Sequence, residues 1–376
     1  MTPRRVLHCH STFAAGGKEL RSARVMNHLG SAAHHVILSA VPDAFEAASA
    51  LHPDISVEFP RNAPALAGRP GVSRYRKLAA YMRGFDLVLT YNWGAMDMVA
   101  ARRLFPTNCP PLIHHEDGFN ADEAGRLFWR RTLFRRFALP AAQAILVPSQ
   151  TLEQIALSTW HQPRERVHRI ANGIATRAYA VPPRADALPG FTRQPGEVVI
   201  GTVAALREVK NIPRLVEAVA QMPPHVRLII VGDGPDRARI AARVAQLELS
   251  DRVILTGYVP DPHHFIGLFD VFALTSDSEQ APIAVVEAMA AGLPVVAPDV
   301  GDIRFMVGPE NAPFIVPSGQ PQMLVKMLAR LADDPALRRR LGSANQARAR
   351  RDFDDAEMFF QYTQIYGFDH AKTGCS

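Results

Sequence analysis

Short β-branched runs alternate with longer amphipathic stretches along most of the chain. In the first half the apolar runs fall at residues 5–10, 36–39, 86–90, 111–115 and 144–148. Each is four to six residues long and apolar with little alternation, the pattern of a strand buried on both faces. The stretches between them carry helical spacing; the first runs from a Gly16-Gly17 turn to about Leu29. Around residue 180 the periodicity breaks, and residues 181–190 are proline-rich, as expected of a linker. A second series then begins, with strands predicted at 198–203, 227–231, 252–256, 271–274 and 294–297, and helices at 212–221, 236–247 and 281–291. No segment of 20–50 residues repeats, which excludes a solenoid. The pattern predicts an α/β fold of two doubly wound, Rossmann-like domains facing a central cleft. The expected division is a first domain over 1–180, a linker over 181–195, a second domain over 196–350 and a C-terminal helix and tail over 351–376. Sheets of this kind take ligands outside the carboxyl ends of their strands.

Composition narrows the picture. The chain has 376 residues, 48% hydrophobic and 21% charged, enough for two cores and unlike a disordered chain. No apolar run reaches the length of a membrane span, and the N-terminus lacks a signal-peptide core. The three cysteines, Cys9, Cys109 and Cys375, lie too far apart to suggest a metal site or a disulfide framework. A cytoplasmic protein is expected. Charge is uneven: the first 180 residues hold 22 basic and 13 acidic side chains, leaving 20 and 23 for the remainder. A basic first half suits anionic partners, although solvated arginines would give the same count.

The most informative stretch runs from Ser276 to Val296. Glu279 follows a predicted strand and precedes a helix, and Glu287 lies two turns further along. Carboxylates on a helix facing a sheet are costly unless something satisfies them. Sugar hydroxyls would do so, while free backbone N–H groups near Pro282 to Ala284 would form an anion site at the helix start. Two salt-bridged structural glutamates are the competing reading.

Glu279-x7-Glu287 followed by Ala-Met-Ala-Ala-Gly292-Leu-Pro-Val-Val resembles the signature of family 4 (group 1) retaining glycosyltransferases of the GT-B fold. The Gly16-Gly17 turn is similar to that family's N-terminal glycine loop, and Val147-Pro-Ser149 to its strand-end serine. Asn172-Gly173-Ile174 resembles its segment ahead of the linker, and Gly232-Asp-Gly234-Pro235 its Gly-x-Gly-Pro turn. The resemblance implies that Glu279 contacts the transferred sugar near its anomeric centre and that Glu287 holds the ribose hydroxyls. It implies a phosphate-binding loop over 201–211, with Lys210 on the family's lysine position. The usual arginine is replaced by Ala205, and Arg207 stands two places on as the substitute cation. Gly16, Gly17, Gly234, Pro282 and Ile283 fall at donor-binding positions. His115, chosen over His114, falls at a histidine that contacts the donor sugar, and Glu116 and Asp117 are acceptor-side candidates. The C-terminal helix is expected to cross back to the N-terminal domain.

Stabilising the departing diphosphate calls for preorganised cations and amide donors or for a metal ion. The one Asp-x-Asp sequence, Asp352-Phe-Asp354, lies in a helical stretch and reads as helix-start acids. The resemblance also implies transfer without a metal or cofactor, and front-face chemistry in which the departing phosphate takes the acceptor's proton. The donor is then a nucleotide diphosphate sugar and the acceptor a glycan or lipid-linked saccharide, in surface polysaccharide biosynthesis. A nucleotide-sugar epimerase and a non-catalytic sugar-nucleotide-binding scaffold are the alternatives. The basic, aromatic segment 126–137 offers Arg126, Arg130, Arg131 and Arg135 to an anionic membrane surface, which would bring the protein to the inner face of the cytoplasmic membrane. The competing reading packs its apolar side on the sheet. No nucleic-acid recognition module accompanies the charge.

Overall fold

The computed structural model describes residues 2–14, 16–66, 68–69, 71–119, 123 and 127–368. The chain forms two compact units: one runs to Asn172 and is rejoined by the segment from Glu357, and the other spans Gly173–Ala356.

The first unit contains β1 (Arg4–His10), α1 (Gly17–Leu29), β2 (Ala33–Ser39), β3 (Ser56–Glu58), α2 (Val72–Met82), β4 (Leu87–Tyr91) and α3 (Met96–Leu104). It continues through β5 (Leu112–His115), α4 (Trp129–Ala138), β6 (Ala144–Val147), α5 (Gln150–Gln154) and β7 (Val167–Arg169). The strands form one sheet in the order β3-β2-β1-β4-β5-β6-β7, every pair parallel. Alternation along β1 sends Leu7 and Cys9 into a core with Val88, Met98 and Trp160. Val6 faces the opposite side, against Leu89, Ile113, Met358, Tyr362 and Tyr366.

Those last three residues lie on the closing helix, α12 (Asp355–Tyr366), which packs on the first sheet as expected for a helix crossing back. Arg4 Nη1 donates to the carbonyl oxygens of Tyr366, 3.1 Å, and Gly367, 2.9 Å. A cation is thereby placed on the negative end of that helix.

The second unit contains β8 (Val198–Val203), α6 (Ile212–Ala220), β9 (Val226–Val231), α7 (Arg237–Gln246), β10 (Val253–Gly257), β11 (Val271–Ala273) and α8 (Ile283–Ala290). Next come β12 (Val295–Pro298), α9 (Ile303–Met306), β13 (Ile315–Val316), α10 (Pro321–Asp333) and α11 (Pro335–Asp352). Its sheet runs β10-β9-β8-β11-β12-β13, again parallel throughout. Close backbone approach holds α11 to α8: a Cβ on Gly342 would lie 1.9 Å from the Gly292 carbonyl oxygen.

The stretch expected as a linker over 181–195 is folded into the second unit instead. Leu188 and Phe191 are buried, and the Arg184 amide donates to the His264 carbonyl at 2.8 Å. Proline broke the periodicity there without releasing the chain from its core. Asp354 does begin a helix, accepting from the Ala356 amide at 3.1 Å. Asp352 instead ends α11 and pairs with Arg351 and Arg348.

Candidate functional site

In the second sheet the strand order reverses between β8 and β11, the position where doubly wound sheets take ligands. The loops that leave these two strands are stitched together. The Asp277 amide donates to the Val209 carbonyl at 2.8 Å, and Thr275 Oγ1 donates to the Lys210 carbonyl at 3.1 Å. Asn211, in the left-handed region with φ 45°, turns the first loop into α6 and donates to Asp277 at 3.1 Å. Arg214 on α6 grips Asp277 Oδ1 at 2.8 Å and the Thr275 carbonyl at 3.2 Å.

This brace brings Lys210 and Glu279 together. Lys210 Nζ donates to Glu279 Oε1 at 2.5 Å, and Ser276 Oγ donates to the same oxygen at 2.7 Å. The Glu279 side chain is only 9% exposed and that of Lys210 23%. Among the described residues nothing donates to Glu279 Oε2. The backbone behind Glu279 is equally constrained. A Cβ on Gly301, with φ 57°, would lie 2.5 Å from the Glu279 carbonyl oxygen, and the Asp302 amide donates to the Gln280 carbonyl at 2.8 Å.

Pro282 stands at the entrance of α8 with no side-chain cap; the Val285 amide donates to the Pro282 carbonyl at 3.1 Å, which leaves the first-turn amides of Ile283 and Ala284 to meet an anion. Glu287 is half-buried on the same helix. The Gly-x-Gly-Pro turn supports the loop that carries the cations. A Cβ on Gly232 would lie 1.9 Å from the Ala204 carbonyl oxygen, and one on Gly234 2.5 Å from that of Leu206. Arg207 follows directly, with an exposed side chain that pairs with no described residue.

In the first unit, Gly16 and Gly17 open α1 beyond the carboxyl end of β1. Lys18 donates to Ser11 at 2.9 Å. Arg21, one turn on, donates to Asp117 Oδ1 at 2.5 Å and to Asn172 Oδ1 at 2.6 Å. Among the described residues, Asp117 Oδ2 is buried without a partner. Glu116 is fully buried: it accepts from Arg135 Nε at 3.1 Å and serves as a counter-ion rather than facing an acceptor.

His115 lies in the interior as well. Nδ1 is 3.2 Å from the Thr90 carbonyl oxygen and Nε2 is 2.7 Å from the Tyr366 hydroxyl, so neither ring nitrogen is open to a sugar. Burial, reinforced by Arg21 and His114, pushes its pKa well down. It belongs to a cluster that sequence reading missed. Tyr91 is stacked against His10 at 4.0 Å and His115 at 4.4 Å, and His8 Nε2 lies 3.0 Å from His35 Nδ1. The period-two spacing of His8 and His10 was the available sign that both face one side of the sheet. Ser149 caps α5, accepting from the Leu152 amide at 3.0 Å.

The basic segment departs from expectation. Arg126 lies outside the described residues. Arg135 is buried, paired with Glu116 and Glu123 and set about 5 Å from the Trp93 and Trp160 rings. Arg131 binds Glu123 at 2.9 Å. Of the three described, only Arg130 stands exposed. Guanidinium groups that neutralise buried acids are not presented to a surface. Among the described residues no helix is long and apolar enough to cross a membrane.

Comparison with known proteins agrees with this architecture. Residues 187–348 match the family described as "Glycosyl transferases group 1", and residues 15–178 match "Glycosyltransferase Family 4". A GDP-mannose-dependent alpha-mannosyltransferase of Mycobacterium tuberculosis (strain CDC 1551 / Oshkosh) is 29% identical over 316 residues, 79% of each chain. The lipopolysaccharide core biosynthesis glycosyltransferase LpsD of Rhizobium meliloti (strain 1021) is 30% identical over 52% of this chain and 57% of its own. Among solved structures, Anabaena HepE in complex with UDP has a TM-score of 0.77 at 21% identity, covering 97% of this chain and 100% of that one. Sucrose-phosphate synthase from Thermosynechococcus elongatus gives 0.78 at 22%, covering 97% and 99%. With both halves matched and the fold shared along nearly its whole length, the chain belongs to the family 4, group 1 glycosyltransferases.

Proposed function

We propose that this glycosyltransferase is a retaining, metal-independent enzyme of the cytoplasm, acting in surface polysaccharide biosynthesis. It moves a sugar from a nucleotide diphosphate donor to a hydroxyl of a glycan or lipid-linked saccharide. The observation that carries this reading is the Lys210–Glu279 pair at the strand-order reversal of the second sheet. Glu279 Oε2 accepts from a sugar hydroxyl, while Lys210, Arg207 and the first amides of α8 meet the diphosphate. Glu287 takes the ribose hydroxyls. As the anomeric carbon–phosphate oxygen bond breaks, negative charge grows on the leaving group, where fixed cations and amides act most strongly. The acceptor oxygen bonds to the same face of the sugar, and its proton passes to the departing phosphate. The first unit takes the acceptor, with Asp117 oriented by Arg21 beside the Gly16-Gly17 turn.

Relatives and neighbours lend support through a GDP-mannose-dependent enzyme, a lipopolysaccharide core enzyme and a structure holding UDP and glucose. The test is Glu279→Ala, assayed over a panel of nucleotide sugars and saccharide acceptors. Transfer should fall by at least about a hundredfold while nucleotide diphosphate binding and thermal stability persist; undiminished transfer would overturn the assignment. Proton NMR of the product tests retention of anomeric configuration, and unchanged rates after chelator treatment test metal independence.

A further inference from the structure

Beside β7, the edge strand of the first sheet, lies an open cavity of about 380 Å³ walled mainly by β7 and α12. Its size falls within the range of about 300–1,000 Å³ in which clefts take small ligands. Its lining belongs wholly to the first unit and includes neither the Lys210–Glu279 pair nor Arg21 and Asp117. Phe360 stands on one wall with 59% of its surface exposed, whereas its neighbour Phe359 stacks on His28 at 4.5 Å. The side chains of Gln364, one turn further on, and of His168 hydrogen-bond to no described residue. Burial, with Arg164 nearby, holds the His168 pKa below its ordinary value, so at neutral pH it offers one donor and one acceptor. Arg164 and Arg169 share a single carboxylate, that of Glu153, which leaves the lining with one net positive charge.

We propose that this cleft is a saccharide subsite, separate from the donor and acceptor sites, for an oligosaccharide that carries carboxylates. The C–H face of a pyranose packs on Phe360, its hydroxyls pair with Gln364 and His168, and a uronate carboxylate meets Arg164 or Arg169. Three features choose this occupant. An exposed ring beside an amide and an imidazole suits a ligand that is apolar on its face and hydroxylated around its rim. One net positive charge suits a sparsely charged chain, whereas a nucleic acid, charged at every residue, calls for a row of cations. Strand β7 has three residues, too few to template a strand from another protein. The cleft also borders the acceptor side. Ile170 lines it, and Asn172, at most about 7 Å further along the chain, accepts from Arg21 at 2.6 Å. Tyr362 of α12 lies 5.9 Å from the same guanidinium. The class of ligand follows from the proposed glycan acceptor, but binding here needs no transfer, so the two readings fail separately.

Isothermal titration calorimetry of the full chain with tetrasaccharides of galacturonate, glucuronate and mannuronate tests the proposal, with maltotetraose as the neutral reference. At least one uronate probe should bind, about tenfold or more tightly than maltotetraose. Phe360→Ala should weaken that binding by about tenfold or more. Arg169→Gln leaves the lining without net charge and should bring the uronate probe close to the neutral one. Both side chains are exposed, and unchanged thermal unfolding of the two variants verifies that the fold is kept. Asp117→Asn, on the acceptor side, should bind the probe as wild type does, and inorganic phosphate at matched ionic strength should not displace it. The proposal falls if no uronate probe binds, or if Phe360→Ala binds as tightly as wild type. It falls too if Asp117→Asn abolishes binding, because the probe would then occupy the acceptor site, or if phosphate displaces it fully, because the cleft would then hold an anion only. Absence of transfer activity would overturn the proposed function and leave each of these binding outcomes readable.

Discussion

One oxygen of Glu279 is committed to Lys210 and Ser276, and the other is open. Replacing Lys210 by methionine therefore takes from Glu279 the donor that aims it and, in the proposed function, takes a cation from the diphosphate. Lys210→Met should lower kcat by about a hundredfold or more and weaken nucleotide diphosphate binding, whereas Glu279→Gln should lower kcat and leave that binding intact. Steady-state kinetics with calorimetry separates the two, and equal loss of nucleotide affinity in both variants would refute the division of labour. The support beneath the cations is steric. Gly232 has φ 135° and faces the Ala204 carbonyl, so Gly232→Ala should cost more than about 2 kcal/mol, read by denaturant unfolding. Lys210, Gly232 and Glu279 were legible one by one, because each lies in a short motif of its own; the contact of Lys210 with Glu279 across 69 residues of chain was not. The Arg21–Asp117 and Arg135–Glu116 pairs join distant segments, and no spacing rule reveals such partners. His115 fell at a plausible strand end, yet strand-end position does not determine depth, and Tyr362 and Tyr366 arrive from the far end of the chain to cover it.

At the scale of elements, alternation gave most of the strands because buried parallel strands are continuously apolar. The strands it missed, β3, β7 and β13, have three, three and two residues, too few to show a period. Helix α4 was legible as a helix but not in its orientation. Amphipathic spacing assigns the apolar side to the core, and here Glu116, Glu123 and the rings of Trp93, Phe119 and Trp160 form a site for Arg135 that reverses the assignment. A buried charge so placed is expensive to strand. Arg135→Met strips the buried carboxylate of Glu116 of its guanidinium partner, while Glu123 keeps Arg131, and should destabilise the protein by about 3–5 kcal/mol. Adding Glu116→Gln to Arg135→Met should restore part of the loss, because one uncompensated charge is removed. Urea unfolding of both variants checks this, and a double variant less stable than Arg135→Met would contradict the account.

At the scale of the whole molecule, two units with separate cores carry different sensitivities, and each sensitivity can be read in its own unit. The first holds His8, His10, His35 and His115, all with pKa values lowered chiefly by burial, that of His35 to about 4. Unfolded histidine titrates near pH 6.5, so above that pH both states are neutral and no term arises. As the pH falls below it, the unfolded chain takes up protons that the folded chain refuses. Stability is therefore lost between about pH 6.5 and 4, by up to roughly 1.4 kcal/mol per pH unit for each histidine. The second unit holds the proposed donor site, and a ligand bound only by the native state adds about 2.7 kcal/mol at a hundred times its Kd. Hydrogen exchange resolves the two effects. Lowering the pH from 7 to 5, with intrinsic exchange rates corrected, should cut protection in β1, β2 and β4 and spare β8 and β9, where no histidine is buried. A saturating nucleoside diphosphate should raise protection in β8, β9 and α8 at either pH. If acid instead strips protection first from β8 and β9, the buried histidines do not govern acid stability. If neither uridine nor guanosine diphosphate protects β8 and α8, the Lys210–Glu279 pair is an internal ion pair and the donor must be sought elsewhere.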